Sequence, residues 1–316
     1  MKKLFCVLML AALLIPTERA SACSICRSGD HSFFINSARL LPTGKLLFGF
    51  DHFNTSKSAI ILHNSHEEGL ALAKAAAGAR VLHEEEHHAS QVQNTVQASL
   101  QYGLGSRFML TATAPYIFNR LTLENETSKG DGLGDPEVTA IIALLPGTTS
   151  KLALHAHVGA RLPLGQSELK DEHGAMRDHH VQPGSGAWAG IFGAQLLYNA
   201  GKVPLFVGVG YQANGTSDHD FAYGNVLRYN FAAQYSLGRF VDLIGEVNGR
   251  YARFDNEGGA EVPHTGGSAV YASPGLRWNL FSGMALRTQV QIPIVERLNG
   301  EQDEDVNFRT GLIFSR

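Results

Sequence analysis

Histidine is the residue type with the greatest capacity for metal chemistry in this chain. Imidazole is a good ligand for Zn, Cu and Ni, and histidines set beside Asp and Glu can collect such ions. Ten of the 14 histidines lie in predicted external loops: His63, His66, His83, His87, His88, His173, His179, His180, His219 and His264. The candidate metal ligands are His83, His87, His88, His179 and His180. The alternative is incidental histidine in hydrated loops, because short histidine tracts are only a compositional signal.

The segment His83-Glu84-Glu85-Glu86-His87 matches the H-E-x-x-H pattern of zinc proteases. In that class, two histidines one helical turn apart bind zinc and the glutamate acts as the base. Here the segment is a run of charged residues at the end of an Ala-rich stretch, and the sequence spacing identifies no third zinc ligand. A motif without its structural context does not predict a protease.

Carboxylate pairs and nucleophiles give no better indication of an enzyme. Asp242 and Glu246 share one face of a predicted strand, which places them roughly 13 Å apart at 3.3 Å per residue. That separation is too large for a retaining glycosidase pair. Ser268 lies near His264 in sequence, but no spacing singles out a catalytic triad. We therefore expect no enzymatic activity and no required cofactor, with Zn, Cu or Ni bound at the loops as an alternative.

Two cysteines form a C-x-x-C motif at Cys23 and Cys26. The pair could bind a metal, exchange thiols or form a local disulfide. Arg27 stands where a haem-attachment motif requires histidine. An oxidising compartment favours the disulfide.

The first residues predict export from the cytoplasm. Lys2 and Lys3 precede an apolar run from Leu4 to Ile15, and Ala20-Ser21-Ala22 forms an A-x-A site. The run is too short for a membrane-spanning helix, which needs about 20 residues. The predicted domains are a signal peptide at 1–22, a periplasmic segment with the C-x-x-C motif at 23–44, and a β-barrel at 45–316.

The elements that must position the remaining polar residues are β-strands. From Leu152 to Leu162 every second residue is apolar, while the alternate positions include His155, His157 and Arg161. A soluble core would reject that polar face, whereas a transmembrane barrel turns its apolar face to lipid and its polar face to the lumen. The alternative is a soluble β-sandwich or lipocalin-like barrel, whose apolar face points inward.

The alternation predicts an all-β fold, an antiparallel transmembrane β-barrel of about 12 strands. The predicted strands are Lys45–Asn54, Asn94–Leu104, Arg107–Phe118, Pro136–Leu145, Lys151–Leu164, Ala187–Tyr198, Val203–Asn214, Tyr223–Leu237, Arg239–Phe254, Ala269–Leu280, Ala285–Arg297 and Val306–Arg316. Long loops are expected at 55–92, 119–135, 165–186, 215–222, 255–268 and 298–305, with short turns between them. The first loop is expected to be partly helical, because Glu67–Ala89 is rich in alanine.

The polar face of these strands predicts the lining of the lumen. Its charged and histidine members are Glu137, His155, His157, Arg161, Arg228, Asp242, Glu246, Arg250, Arg277, Arg287 and Arg309. Arginines outnumber acids in this set, so we expect a lumen that favours anionic or polarisable solutes. The alternative is that the charges pair with one another and fill a narrow, purely structural barrel.

Three short motifs resemble one family of outer-membrane proteins. They are Leu41-Pro42-Thr43-Gly44, Gly132-Leu133-Gly134-Asp135 and Leu162-Pro163-Leu164-Gly165. The chain resembles the "meta-pathway of phenol degradation" family of outer-membrane transporters. The resemblance implies a Gram-negative outer-membrane barrel that passes small, often aromatic, compounds.

The expected partners are outer-membrane lipid, the outer-membrane assembly machinery and a small-molecule solute. A formal net charge of −3 gives no indication of nucleic-acid binding.

Overall fold

Long antiparallel strands form wherever the sequence alternates apolar and polar residues. The computed structural model describes residues 40–62, 86–123, 126–145, 151–281, 283–300 and 302–315. Its strands are β1 Leu46–Leu62, β2 Glu86–Gly103, β3 Phe108–Leu123, β4 Glu126–Leu133, β5 Glu137–Leu145, β6 Leu152–Arg161, β7 Ala189–Ala200, β8 Val203–Asn214, β9 Phe221–Ala222, β10 Val226–Ser236, β11 Val241–Ala252, β12 Asn256–Glu257, β13 Ala260–Glu261, β14 Gly267–Phe281, β15 Met284–Leu298, β16 Gln302–Glu304 and β17 Asn307–Ser315. None of the described segments is a helix that could span a membrane.

The strands close into a 12-stranded antiparallel barrel. The ring runs β1, β2, β3, β5, β6, β7, β8, β10, β11, β14, β15 and β17, and closes where β17 pairs with β1. Closure leaves no unpaired sheet edge around the ring, which is the condition for a sheet to cross lipid. The predicted fold class is therefore confirmed, and the helical first loop falls outside the described residues.

The exterior is apolar and the interior is polar, as in a membrane barrel. On β2, Val92, Val96 and Leu100 are exposed, while Gln91 and Gln101 are buried on the opposite face. Phe48, Phe50, Phe192, Val207, Val209, Phe231 and Val247 are likewise exposed on other strands. This arrangement inverts that of a soluble barrel, so the soluble alternative is wrong and the protein is an outer-membrane barrel.

The end of the interior beside the short turns is an exception, because its side chains are apolar. Ala153, Leu197, Phe206 and Ala232 pack together there from four neighbouring strands. Met109, Ile141, Ile244, Ala285 and Ile313 are also buried near strand ends at this side. Short turns face the periplasm in such barrels, so an apolar zone lies at the periplasmic end of the lumen.

Several strands are longer than the alternation predicts. β1 continues to Leu62 and β2 begins at Glu86, so the strand pair extends well into the segment expected to be a loop. The Ala-rich segment therefore ends in strand, not helix, over Glu86–Ala89. Outside the membrane both faces of a strand contact water, so the sequence there no longer alternates apolar and polar residues. The hydrogen-bonded pairing of the strands nevertheless continues.

Other predicted loops also contain strands. Residues 119–135 form a hairpin, because β3 runs to Leu123 and pairs with β4. The loop at 255–268 holds β12 and β13, which form a small sheet with β9. The loop at 298–305 holds β16, which pairs with the outer end of β1. Among the described residues, the short turns at 104–107, 201–202 and 237–240 and the irregular loop after β6 are as predicted.

The signal peptide, the C-x-x-C pair Cys23 and Cys26, and His83 fall outside the described residues. His87 and His88 belong to β2, opposite Ile61 and Ile60 of β1.

Candidate functional site: the lumen and the mouth of the barrel

The predicted lumen residues all lie on the inward face of their strands. Glu137, His155, His157, Arg228, Asp242, Glu246, Arg250, Arg287 and Arg309 are buried. Arg161 and Arg277 are half-buried on the same face. That these residues line a solute path stays a prediction.

On one side of the lumen, charges meet in tight ion pairs. Nη2 of Arg287 lies 3.0 Å from Oδ1 of Asp51. Arg250 and Lys57 both bind the carboxylate of Glu304, the latter at 3.1 Å. Tyr271 also donates its hydroxyl proton to Glu304. We call these six side chains the polar belt.

Four members of the polar belt were not predicted from the sequence, namely Tyr271 and the three charged residues Asp51, Lys57 and Glu304. Asp51 lies on the inward face of its predicted strand, so the alternation of apolar and polar residues could have identified it. Lys57 and Glu304 lie in segments predicted as loops, and the pairing of β16 with β1 brings them together at register partners. With them added, the inward face gains one base and two acids. The predicted electropositive excess is therefore smaller than the sequence indicates.

Neutral amides donate to two further inward acids, Glu246 and Asp242. Asn230 donates to Oε1 of Glu246 at 3.2 Å, and Gln289 donates to Oε2 at 2.8 Å. Asn279 donates to Asp242 at 3.3 Å. Arg309 lies over the ring of Phe53, 4.6 Å from its centroid.

The opposite side of the lumen, from β5 to β10, has several glycines on its inward face. Gly193 of β7 and Gly210 of β8 are register partners, and Gly208 follows on the same face. Arg161 binds Glu137 through its Nε at 2.8 Å. This ion pair lies at the external end of β5 and β6.

The loop at 162–188 folds against the inner wall instead of standing above it. Gln91 and Asn119, which face inward on β2 and β3, donate to the backbone carbonyl of His180 at 3.1 and 2.6 Å. Val181 is fully buried against this wall.

Three glycines make room for the loop. Gly130, Gly132 and Gly134 occupy alternate, buried positions at the inward face of β4 and just beyond it. A Cβ on Gly130 would collide with the carbonyl of Val181, and one on Gly132 with the side chain of Gln166. The close approach of the loop therefore explains the glycines at 130 and 132.

Asp135 fixes both ends of the loop at one point. Its Oδ1 accepts from the backbone N–H of Gly165 at 3.0 Å. Its Oδ2 accepts from the backbone N–H and the hydroxyl of Ser185 at 2.7 and 2.6 Å. The Gly132-Leu133-Gly134-Asp135 and Leu162-Pro163-Leu164-Gly165 motifs thus meet in space. Both motifs were recognised in the sequence, but the contact between them was not predicted.

His180 connects the same loop to the loop after β11. Its Nδ1 lies 2.8 Å from Asp178 and its Nε2 3.0 Å from Asp255. Burial alone lowers the pKa of His180, but the two carboxylates outweigh it and raise the pKa to about 9. The imidazolium therefore donates from both nitrogens at neutral pH, and neither nitrogen is available to a metal.

The neighbouring candidate ligand, His179, is also held in place. Its ring stacks on Phe221 with centroids 4.2 Å apart, and it lies 6.4 Å from the ring of His219. Burial lowers the pKa of His179, which favours the neutral form that metals bind. Across the described ranges, no three His, Cys, Asp or Glu residues are grouped to hold a metal ion. Metal binding at the loops stays a prediction.

Comparison with known proteins agrees with the architecture. A family model described as "MetA-pathway of phenol degradation" matches residues 84–296. No protein of curated function matches the sequence significantly.

Several solved structures are similar to this chain, and three of them are described below. An outer membrane channel from Pseudomonas putida F1 is 13% identical, with 88% of this chain and 97% of that chain covered and a TM-score of 0.64. The P. putida toluene transporter TodX is 9% identical, with coverages of 87% and 90% and a TM-score of 0.41. The translocator domain of autotransporter NalP from Neisseria meningitidis is 10% identical, with coverages of 87% and 89% and a TM-score of 0.45. The first match establishes a shared fold.

Proposed function

The chain belongs to the "MetA-pathway of phenol degradation" family, and from that premise we propose that it is a passive outer-membrane channel for small solutes. The observation that carries the proposal is a closed barrel whose inward face is charged and polar along most of its length. A polar interior is what the lumen of an outer-membrane channel presents to its solute. The similar channel from P. putida F1 has the same fold and supports this assignment.

The path we infer runs along one side of the lumen. The polar belt occupies the other side. Between β5 and β10 the inward positions include Gly193, Gly208 and Gly210, which leave space. A path on that side ends in the apolar zone near the periplasm, so solutes with an apolar part would pass it most readily.

Solute permeation into proteoliposomes tests this assignment. Wild-type protein should admit small polar solutes that do not cross lipid unaided, with a sharp upper size limit. Thr139→Trp, on the inward face of β5, should reduce the rate severalfold, because it narrows the open side. Ala140→Trp is the matched control, since the next residue faces lipid and its replacement should leave the rate unchanged.

Failure of the wild-type protein to admit any solute would contradict a channel. That result would favour a structural barrel with a filled lumen. Equal effects of the two tryptophan variants would contradict the path along β5 to β10.

A further inference from the structure

The outward face of β3 changes from apolar to basic at the outer edge of the membrane. Its outward positions from Phe108 to Phe118, over 11 residues, are all apolar or aromatic. A transmembrane β-strand needs about 9–11 residues to cross the bilayer. The rings of Tyr116 and Phe118 lie 4.9 Å apart at the external end of this span, where aromatic side chains mark the membrane interface. The residues that follow therefore lie at the level of the outer-leaflet headgroups.

Two cations occupy this level on neighbouring strands. Arg120 of β3 and Lys129 of β4 are register partners, and both are exposed on the outward face. Within the described ranges, no carboxylate forms an ion pair with either side chain. Like charges directly opposite each other on paired strands are destabilising. An anion bound between the two side chains would remove this repulsion.

The loop at 162–188 places a third cation beside the pair. Arg177 donates through Nη1 to the backbone carbonyl of Lys129 and through Nε to that of Lys170 at 3.0 Å. Its guanidinium is therefore fixed against β4. Among the described side chains on the outward faces of β3 and β4, the single carboxylate is Asp131, which lies opposite Phe118, one step nearer the membrane. The surface at the headgroup level is therefore basic.

We propose that Arg120 and Lys129, with Arg177 beside them, form a binding site for a phosphate group of an outer-leaflet glycolipid such as lipid A. The phosphate lies between the paired cations and accepts charge-assisted hydrogen bonds from both. The acyl chains of the same lipid pack on Tyr116 and Leu133, register partners that are 40% and 56% exposed on the membrane side of the pair. Only a phosphate attached to acyl chains makes both kinds of contact, so the site selects a lipid.

Equilibrium binding of lipid A to the purified protein in detergent tests the site. Wild-type protein should bind diphosphoryl lipid A at least ten-fold more tightly than the same lipid without its phosphates. The double variant Arg120→Gln, Lys129→Gln should bind diphosphoryl lipid A at least ten-fold more weakly than wild type, because it removes both cations and keeps these positions polar. Heat-modifiable migration on gels should show a folded barrel, since the variant also removes a like-charge contact.

The double variant Lys202→Gln, Arg239→Gln is the matched control. Both residues are exposed in short turns, so the variant removes the same two charges from the periplasmic end of the barrel. Its affinity for diphosphoryl lipid A should stay within two-fold of wild type. Equal losses in the two double variants, or equal wild-type affinity for the lipid with and without phosphates, would overturn the site.

Inorganic phosphate distinguishes a lipid site from a site for free anions. A large molar excess of inorganic phosphate should leave lipid A bound to the wild-type protein, because the free anion makes no contact with the apolar surface below the cations. Complete displacement would assign the site to free phosphate and overturn the lipid inference. These measurements do not depend on ion or solute passage, so the lipid site and the channel function can fail separately.

Discussion

Asp51 and Arg287 show how strongly individual residues depend on partners inside this barrel. Their side chains are 3% and 2% exposed, so each charge is compensated mainly by the other. Arg287→Gln leaves Asp51 buried without its cation, and we expect a loss of about 3–5 kcal/mol in the free energy of unfolding. Heat-modifiable migration of the folded barrel on gels measures the loss.

The double variant Asp51→Asn, Arg287→Gln is the control for this pair. It removes both charges and should recover most of the lost stability, since no buried charge remains uncompensated. A double variant no more stable than Arg287→Gln would show that the ion pair itself is not the cause.

His180 gives a residue-scale prediction for pH. Asp178 and Asp255 face its two nitrogens, and the rings of Phe221 and Tyr223 pack edge-on against it. Its pKa is raised from 6.5 to about 9 in the folded state. The stabilisation from the charged form is therefore complete below pH 6.5 and is lost as the pH rises through about 9.

Hydrogen exchange of the loop amides checks this dependence. After correction for intrinsic exchange, protection at residues 180–182 should fall between pH 7 and pH 9.5 in the wild-type protein. His180→Gln should start with weaker protection and show no such fall. Constant protection of the wild-type loop up to pH 9.5 would contradict the role of the imidazolium.

At the scale of elements, the glycines of β4 determine whether the loop at 162–188 can pack against the wall. Gly130→Ala should destabilise the barrel by about 1–3 kcal/mol, because its Cβ would meet the backbone carbonyl of Val181. Gly132→Ala is the matched control, since its Cβ would meet the movable end of Gln166. Thermal unfolding and protease sensitivity of the loop measure both effects. Equal tolerance of the two alanines would contradict close packing at Gly130.

The twelve ring strands could be predicted from sequence, because lipid on one face and a polar interior on the other impose a strict period of two. The alternation around His155 and Arg161 is an example. β4 and β16 could not be predicted in this way, since beyond the membrane both faces of a strand meet water. Glu304 was missed for that reason.

The contacts of the loops are even harder to predict from the sequence than the outer strands, because they depend on tertiary structure. Asp135 is the last residue of a glycine-rich motif that was recognised in the sequence, yet its partners Gly165 and Ser185 are 30 and 50 residues away. Similarly, His180 belongs to a histidine pair that composition suggests for metal binding. Only the fold brings Asp255 to its second nitrogen.

At the scale of the whole molecule, the interior has three zones along the barrel axis. Apolar side chains lie at the periplasmic end, charged and amide side chains follow, and the loop at 162–188 covers part of the external mouth. The charges are distributed unevenly around the ring. The polar belt is internally paired, whereas the side from β5 to β10 has two arginines and one acid.

Single-channel recording in a planar lipid bilayer tests the central claim most directly. Purified wild-type protein should give discrete conductance steps in symmetric KCl, and a KCl gradient should give a reversal potential that indicates preference for chloride. The preference should be modest, because most inward charges are paired. Insertion of folded barrels that produce no conductance steps would contradict the claim that this protein is a channel.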